Sequence, residues 1–177
     1  MLWDASDSQM NYRPYLPEDF TGLYAIEEIC FHPPFRFGRG YMQRLLRRPS
    51  TATWIAEDAG TMAGFAVVEL ASQSDQTVAY IVTIEVLPEF RTRGAGSELL
   101  RLVEQSARDS HAQSLWLHVD ATNSGAIRLY EAHGFHCEGR VENFYAARRA
   151  ALVYRKSLLT VAAKANRSAP GTQSERL

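Results

Sequence analysis

Residues 85–107 read EVLPEFRTRGAGSELLRLVEQSA. The stretch closes an apolar run, stops at Pro88, places two arginines and two glycines in RTRGAG (91–96), and continues through GSELLRLVEQSARDSHA with helical spacing that turns Leu99, Leu100 and Val103 inward. A strand, a glycine-bearing loop and a helix in that order bring backbone N–H groups close to an anion, and the helix dipole favours negative charge there. Arg91 and Arg93 add charge suited to a diphosphate. The pattern is not an ATP-binding loop, which needs a Gly-Lys-Ser/Thr ending, nor a dinucleotide fingerprint, since GAGSEL lacks the third glycine. From spacing alone, an anion site and a plain turn with solvated arginines are equally good readings.

The flanking sequence sets the frame. NYRPYL (11–16) reads as a short strand and PEDFTGLYAIEEICF (17–31) as a helix, with Pro17, Glu18 and Asp19 suiting its start and an apolar stripe of Phe20, Leu23, Tyr24, Ile26 and Ile29. HPPFRFG breaks that helix and RGYMQRLLRRP resumes one. TATWIAED and TMAGFAVVELAS alternate like strands joined at DAGT, and TVAYIVTIEVL is a third. After the helix that follows RTRGAG come SLWLHVD as a strand, NSGAIRLYEAHG as a helix closed by Gly134, and two strands, FHCEGRVENFY and AALVYRKSL. The order β-α-α-β-β-β-α-β-α-β-β predicts a mixed α/β domain around one sheet. The expected boundaries are a mobile segment over 1–10, one domain over 11–160 and a disordered tail over 161–177.

Composition excludes several classes. The chain has 177 residues, 46% of them hydrophobic, and a formal net charge of -1, which suits one domain with a real core and lacks the basic excess of a nucleic-acid binder. RRAALVYRK (148–156) is basic but interleaved with apolar residues, as a strand with charged flanks would be. Cys30 and Cys137 have no metal-ligand spacing, so no metal is expected. No secretory signal opens the chain and no apolar run approaches the roughly 20 residues needed to span a bilayer, so a cytoplasmic protein without a membrane partner is expected.

V-x-P-x-F followed by R-x-x-G-x-G resembles the coenzyme A pyrophosphate loop of the GNAT superfamily of N-acetyltransferases. LWLHVDATNSGAIRLYEAHGF (115–135) resembles the second signature of that superfamily, a strand followed by N-x-x-A-x-x-L-Y-x-x-x-G-F. Both occur in the right order, one helix apart, and the match runs from about Tyr12 to Leu158. The resemblance implies the GNAT fold, a central, mostly antiparallel, splayed sheet flanked by helices, with acetyl-CoA as cosubstrate. It implies that backbone groups around Ile84 and Val86 pair with the pantetheine amides and that Arg91, Arg93, Gly94, Ala95 and Gly96 hold the pyrophosphate. Asn123 is then near the pantetheine arm, and Tyr130 points its hydroxyl at the thioester sulfur. Read without that context, Tyr130 is a helix aromatic packed on the sheet.

His118, in LWLHVD, shares a strand face with Trp116 and Asp120. By itself it reads either as a half-buried histidine with a hydrogen-bond partner or as a base, its ordinary pKa of about 6.5 being matched to an α-amine. In RimI-type ribosomal-protein acetyltransferases the corresponding position carries a glutamate proposed as base. In the amino-terminal acetyltransferase acting on Met-starting peptides it carries a histidine, with a tyrosine eleven residues before the loop arginine. That spacing from Arg91 lands on Tyr80, which with His118 could hold a proton-relaying water. VENFYAARRAALVYRKSL resembles the hairpin that covers the peptide N-terminus in such enzymes, which makes Phe144 and Tyr145 substrate-binding aromatics. Phe31, Pro33, Pro34 and Phe35 would make the loop after the first helix an apolar pocket wall, where core packing and a proline turn are the alternative. The hairpin departs from the family in carrying AARRAA, whose Arg148 and Arg149 either favour an acidic substrate or face solvent. The expected acceptor is a protein or peptide N-terminus or, failing that, a small amine; a non-catalytic acyl-CoA-binding module is the alternative from another class. A monomer or homodimer is expected.

Overall fold

The computed structural model describes residues 10–73 and 76–159. The expected terminal segments, 1–10 and 161–177, lie outside these apart from Met10. The elements are β1 (Asn11–Pro14), α1 (Phe20–Cys30), α2 (Arg39–Leu45), β2 (Thr51–Asp58), β3 (Thr61–Gln73), β4 (Gln76–Val86), α3 (Ala95–Asp109), β5 (Ser114–Asp120), α4 (Ser124–Ala132), β6 (His136–Ala146) and β7 (Arg149–Ser157). Their order is the one the sequence predicts. At the ends the chain is tighter than expected: Pro17–Asp19 forms a 3-10 turn before α1, and Pro88–Phe90 forms another after β4.

Seven strands form one sheet in the order β1-β2-β3-β4-β5-β7-β6, antiparallel everywhere except between β4 and β5. Helix α3 lays Leu99, Leu100, Val103 and Ala107, all fully buried, on one face against Ala66, Val68, Ala79 and Leu115. Helices α1 and α2 cover the other face, with Leu23, Ile26, Met42 and Leu45 against Ile55, Phe65 and Val67. Because both faces are covered, Phe65, Ala66, Val67 and Val68 are all fully buried and β3 does not alternate there. The stripe on α1 also differs from expectation: Ile29 is 55% exposed, and Glu27 takes the inward position instead. The β2–β3 hairpin turns through Ala59 and Gly60, both with positive φ, as a two-residue turn matched to strand twist requires.

Two irregularities make the sheet useful. Strands β4 and β5 pair only at Ala79↔Leu115 and Tyr80↔Trp116. Beyond these points β4 follows β3 as far as Val86↔Gly64, while β5 follows β7 as far as Asp120↔Ala151, so the two strands diverge and a cleft opens between them. Just past the last β4–β5 pair, the register shift between Val67↔Thr83 and Val68↔Ile81 leaves Val82 as an extra residue on β4. A bulge of this kind bends its strand and re-aims the side chains beyond it.

Candidate active site

The divergence of β4 and β5 forms the inner compartment, walled by Ile81–Ile84 of β4, Val119 and Asp120 of β5, and Asn123, Ala126 and Tyr130 of α4. An outer compartment is walled by Pro34, Tyr41, Glu69, Tyr80 and Phe144. Phe35, Phe37, Val82, His118 and Tyr145 line both, so these five stand at the junction. The sequence-predicted residues Tyr80, His118, Tyr130, Ile84, Asn123, Phe31, Pro34, Phe35, Phe144 and Tyr145 are therefore brought around one continuous space, although Pro33 and Val86 do not line it.

His118 occupies the junction because β5 alternates: Leu117 and Val119 go into the core and Trp116, His118 and Asp120 face the other way. Tyr80 Oη lies 3.0 Å from His118 Nδ1, a direct hydrogen bond that brings together the two residues expected to act as a pair. Phe144 stacks on the imidazole at 4.4 Å and 5°, Tyr145 meets Phe144 edge-on, and Phe35 packs on Tyr145 at 5.1 Å. Burial holds the His118 pKa below its ordinary value, so the ring is neutral at neutral pH. Burial likewise raises the Tyr80 phenol, which stays protonated. When Nδ1–H donates to Tyr80, Nε2 keeps a free lone pair, which is the form a base needs.

Tyr130 is 7% exposed, and Phe135 holds its ring edge-on at 5.7 Å. Burial first, then the nearby Tyr145 and Tyr80 phenols, push its pKa up, so it is a proton donor across the whole working range. Its helix starts at Asn123, whose Oδ1 accepts from Ala126 N–H at 3.1 Å. Asn123 is thus the cap of α4 as well as part of the cleft wall.

In RTRGAG the structure separates backbone from side chains. Gly94 takes φ +84° as the residue preceding α3, and no side chain caps the first turn, which leaves the N–H groups there for another acceptor. A side chain at Gly96 would meet only Leu129 Cδ2, at 3.5 Å, so the fold itself does not require glycine there. Ala95 is buried. Arg91 Nε donates to Val86 O at 2.8 Å, and Arg93 pairs with Asp58 at 2.9 Å and lies over Phe90. Arg149 is also committed: it pairs with Asp120 at 2.7 Å and lies 4.8 Å over Phe35.

Several residues at this site escape the sequence reading. Phe37 and Tyr41 line the outer compartment, and the only hint is the aromatic spacing of FRFGRGY. Tyr24 Oη donates to Phe37 O at 3.0 Å, and Glu27 Oε1 accepts from Phe37 N–H at 2.7 Å, which fixes the loop from beneath. Glu85, an acid inside an apolar strand, is 2% exposed. That incongruity was visible in IVTIEVL.

A bulged, splayed sheet with an uncapped helix N-terminus beside the cleft defines the class: residues 20–135 match the acetyltransferase (GNAT) family, and the chain belongs to it. Among known proteins it is 42% identical over 77 residues to N-alpha-acetyltransferase 60 of Xenopus tropicalis, covering 42% of this chain and 32% of that protein. It is 33% identical over 86 residues to the [ribosomal protein bS18]-alanine N-acetyltransferase of Escherichia coli (strain K12), covering 49% and 55%. The chain thus spans about a third to a half of the length of these relatives. Arabidopsis thaliana NAA60, solved in complex with acetyl-CoA, shares the fold with a TM-score of 0.77 at 23% identity, over 85% of this chain and 99% of that one. Among the described residues, no helix is long and apolar enough to cross a membrane.

Proposed function

We propose that this chain is an acetyl-CoA-dependent N-acetyltransferase whose acceptor is the N-terminal α-amine of a protein or peptide. The observation that carries this reading is the His118–Tyr80 pair at the junction of the two compartments.

The residues present fit acetyl-CoA. The open ladder of β4 beyond Tyr80 offers backbone groups around Ile84 to an extended amide chain, whereas Val86 O is already held by Arg91. The N–H groups of Ala95 and Gly96, which follow Gly94 in the left-handed region, suit a diphosphate. Arg91 and Arg93 flank these N–H groups in the same loop and add positive charge beside them. Acetyl-CoA supplies the activated acyl group when bound. The outer compartment, with Phe35, Phe144 and Tyr145, suits a peptide end.

Magnitudes favour an α-amine. Moving a proton from an α-ammonium of pKa about 7.8 to an imidazole of about 6.5 is uphill by roughly 1.8 kcal/mol, against about 5 kcal/mol from a lysine ammonium of about 10.4. Burial of His118 adds the same increment to both, so it does not change the preference. At pH 7.4 about a quarter of α-amines are already neutral, compared with about one lysine in a thousand. His118 takes the proton from the attacking amine, Tyr80 holds the ring in the productive tautomer, and Tyr130 donates to the departing sulfur.

The test is direct. Purified chain with acetyl-CoA is assayed for CoA release and product mass against peptides with free N-termini, the same peptides blocked at the α-amine but carrying lysine, and small amines. The proposal expects mass gain only on free α-amines. Acetylation confined to lysine side chains or small amines overturns it.

A further inference from the structure

Glu27 on α1 and Glu85 on β4 are 0% and 2% exposed, and their carboxyls face one another across the α1–β4 interface. Each uses one oxygen in an ordinary way: Glu27 Oε1 accepts from Phe37 N–H at 2.7 Å, and Glu85 Oε1 accepts from the Thr83 hydroxyl at 2.8 Å. Each leaves its other oxygen, Oε2, buried with no donor among the described residues. Two ionised carboxylates so placed would set like charges side by side in a low-dielectric interior. The nearby guanidinium, Arg91, donates to Val86 O and reaches Cys30 Sγ at 3.9 Å rather than either acid. One proton between the two acids turns the repulsion into a charge-assisted hydrogen bond.

We propose that Glu27 and Glu85 share a single proton, and that this bond ties the loop over residues 31–38 to β4, making Glu85 a positioning residue for the acceptor. The tie runs from Thr83, which lines the inner compartment, through Glu85 and Glu27 to the N–H of Phe37, which lines both compartments. It rests on the proposed function only in calling the bound partner of that loop an acceptor. The titratable and charged neighbours are Cys30 from α1 and Arg91 from the loop after β4. The Cys30 thiol is pushed up to about 11 by burial and then by Glu85, so it stays neutral. Burial and the facing Glu27 hold Glu85 well above the usual carboxylate range, so the shared proton persists at neutral pH.

The linkage has a definite sign. A carboxyl whose pKa rises on folding stabilises the fold fully below its unfolded value of about 4.3, and that contribution drains away as pH rises through the folded value. Glu85→Gln replaces the shared proton with an amide N–H that does not titrate. Between about pH 5 and the folded pKa, the wild-type Tm should fall relative to that of Glu85→Gln by roughly 3–5 °C per pH unit, the effect of one proton in a domain of this size. Amide exchange at Phe37, corrected for intrinsic pH dependence, should lose protection towards alkaline pH in wild type and keep it in the variant. With a peptide that the acetylation panel has identified, wild-type peptide KM should rise at alkaline pH while the acetyl-CoA KM stays flat, and Glu85→Gln should abolish the rise. If Glu85→Gln does not fold, Glu27→Gln keeps the acceptor for Phe37, places an amide donor at the same point, and must flatten the same curves. Parallel Tm–pH curves for wild type and variant overturn the shared proton. A Phe37 amide or a peptide KM that responds equally in both overturns the positioning role. The first two readouts use no substrate, so this inference and the proposed reaction can fail separately.

Discussion

Replacing His118 with alanine removes the only imidazole that lines the cleft among the described residues. A positioned general base contributes typically 10²–10⁴-fold. Here the α-amine is partly neutral without help, so the expected loss in kcat is near the lower end, about 10²-fold. The diagnostic is pH. Because burial lowers the His118 pKa, the acidic limb of wild-type kcat should bend below about pH 6.5 and be independent of the peptide used. The base works only when deprotonated, so activity falls as pH drops through that value. In His118→Ala the limb should move to the pKa of the bound amine, near 7.8, and follow that amine from one peptide to the next. Tyr80→Phe removes the 3.0 Å partner of Nδ1 but leaves the imidazole, so its loss should be smaller, about tenfold. Combined with His118→Ala it should add almost nothing, since both changes break one relay. Alanine also unstacks Phe144, so Tm and acetyl-CoA affinity are measured alongside to separate packing from chemistry. The reasoning is refuted if the wild-type limb already tracks the amine pKa across peptides, or if His118→Ala keeps a limb identical in shape to wild type.

Three further outcomes follow from the same geometry. Gly96→Val should weaken acetyl-CoA binding about 10–100-fold by calorimetry while leaving Tm nearly unchanged, because a Cβ at this position meets Leu129 Cδ2 only at ordinary contact distance; unchanged affinity would make RTRGAG a turn and nothing more. Tyr130→Phe should lower kcat about 10–100-fold with acetyl-CoA affinity intact, since the ring contact with Phe135 survives and only the hydroxyl is lost; equal turnover removes the donor role. Arg149→Ala should raise peptide KM several-fold by releasing Phe35, yet cost less than about 1 kcal/mol of stability, because the Arg149–Asp120 pair is partly exposed; a urea titration and a peptide KM measurement decide it.

The order of elements was legible in the chain, because hydrophobic period and the Pro/Gly punctuation at Pro17, Gly60, Pro88, Gly94 and Gly134 are local signals. The alternation of SLWLHVD alone puts His118 opposite Leu117 and Val119, and the eleven-residue spacing from Arg91 to Tyr80 selected the partner with which His118 is hydrogen-bonded. What local pattern cannot reach is anything that depends on where two distant segments meet. The sheet splays because β4 follows β3 while β5 follows β7, and no feature of either strand alone says where they part. The spacing of RTRGAG left an anion site and a plain turn equally open, and only the fold brings Arg91 to Val86 O and Arg93 to Asp58. AARRAA left Arg149 between substrate and solvent, and only folding brought it to Asp120 and Phe35. Ile29 fits the helical stripe of α1, but in the fold Ile29 is exposed and Glu27 is turned inward. There a buried acid meets Glu85 from a strand 58 residues further on, and a shared proton, which no local sequence pattern encodes, is set by that meeting alone.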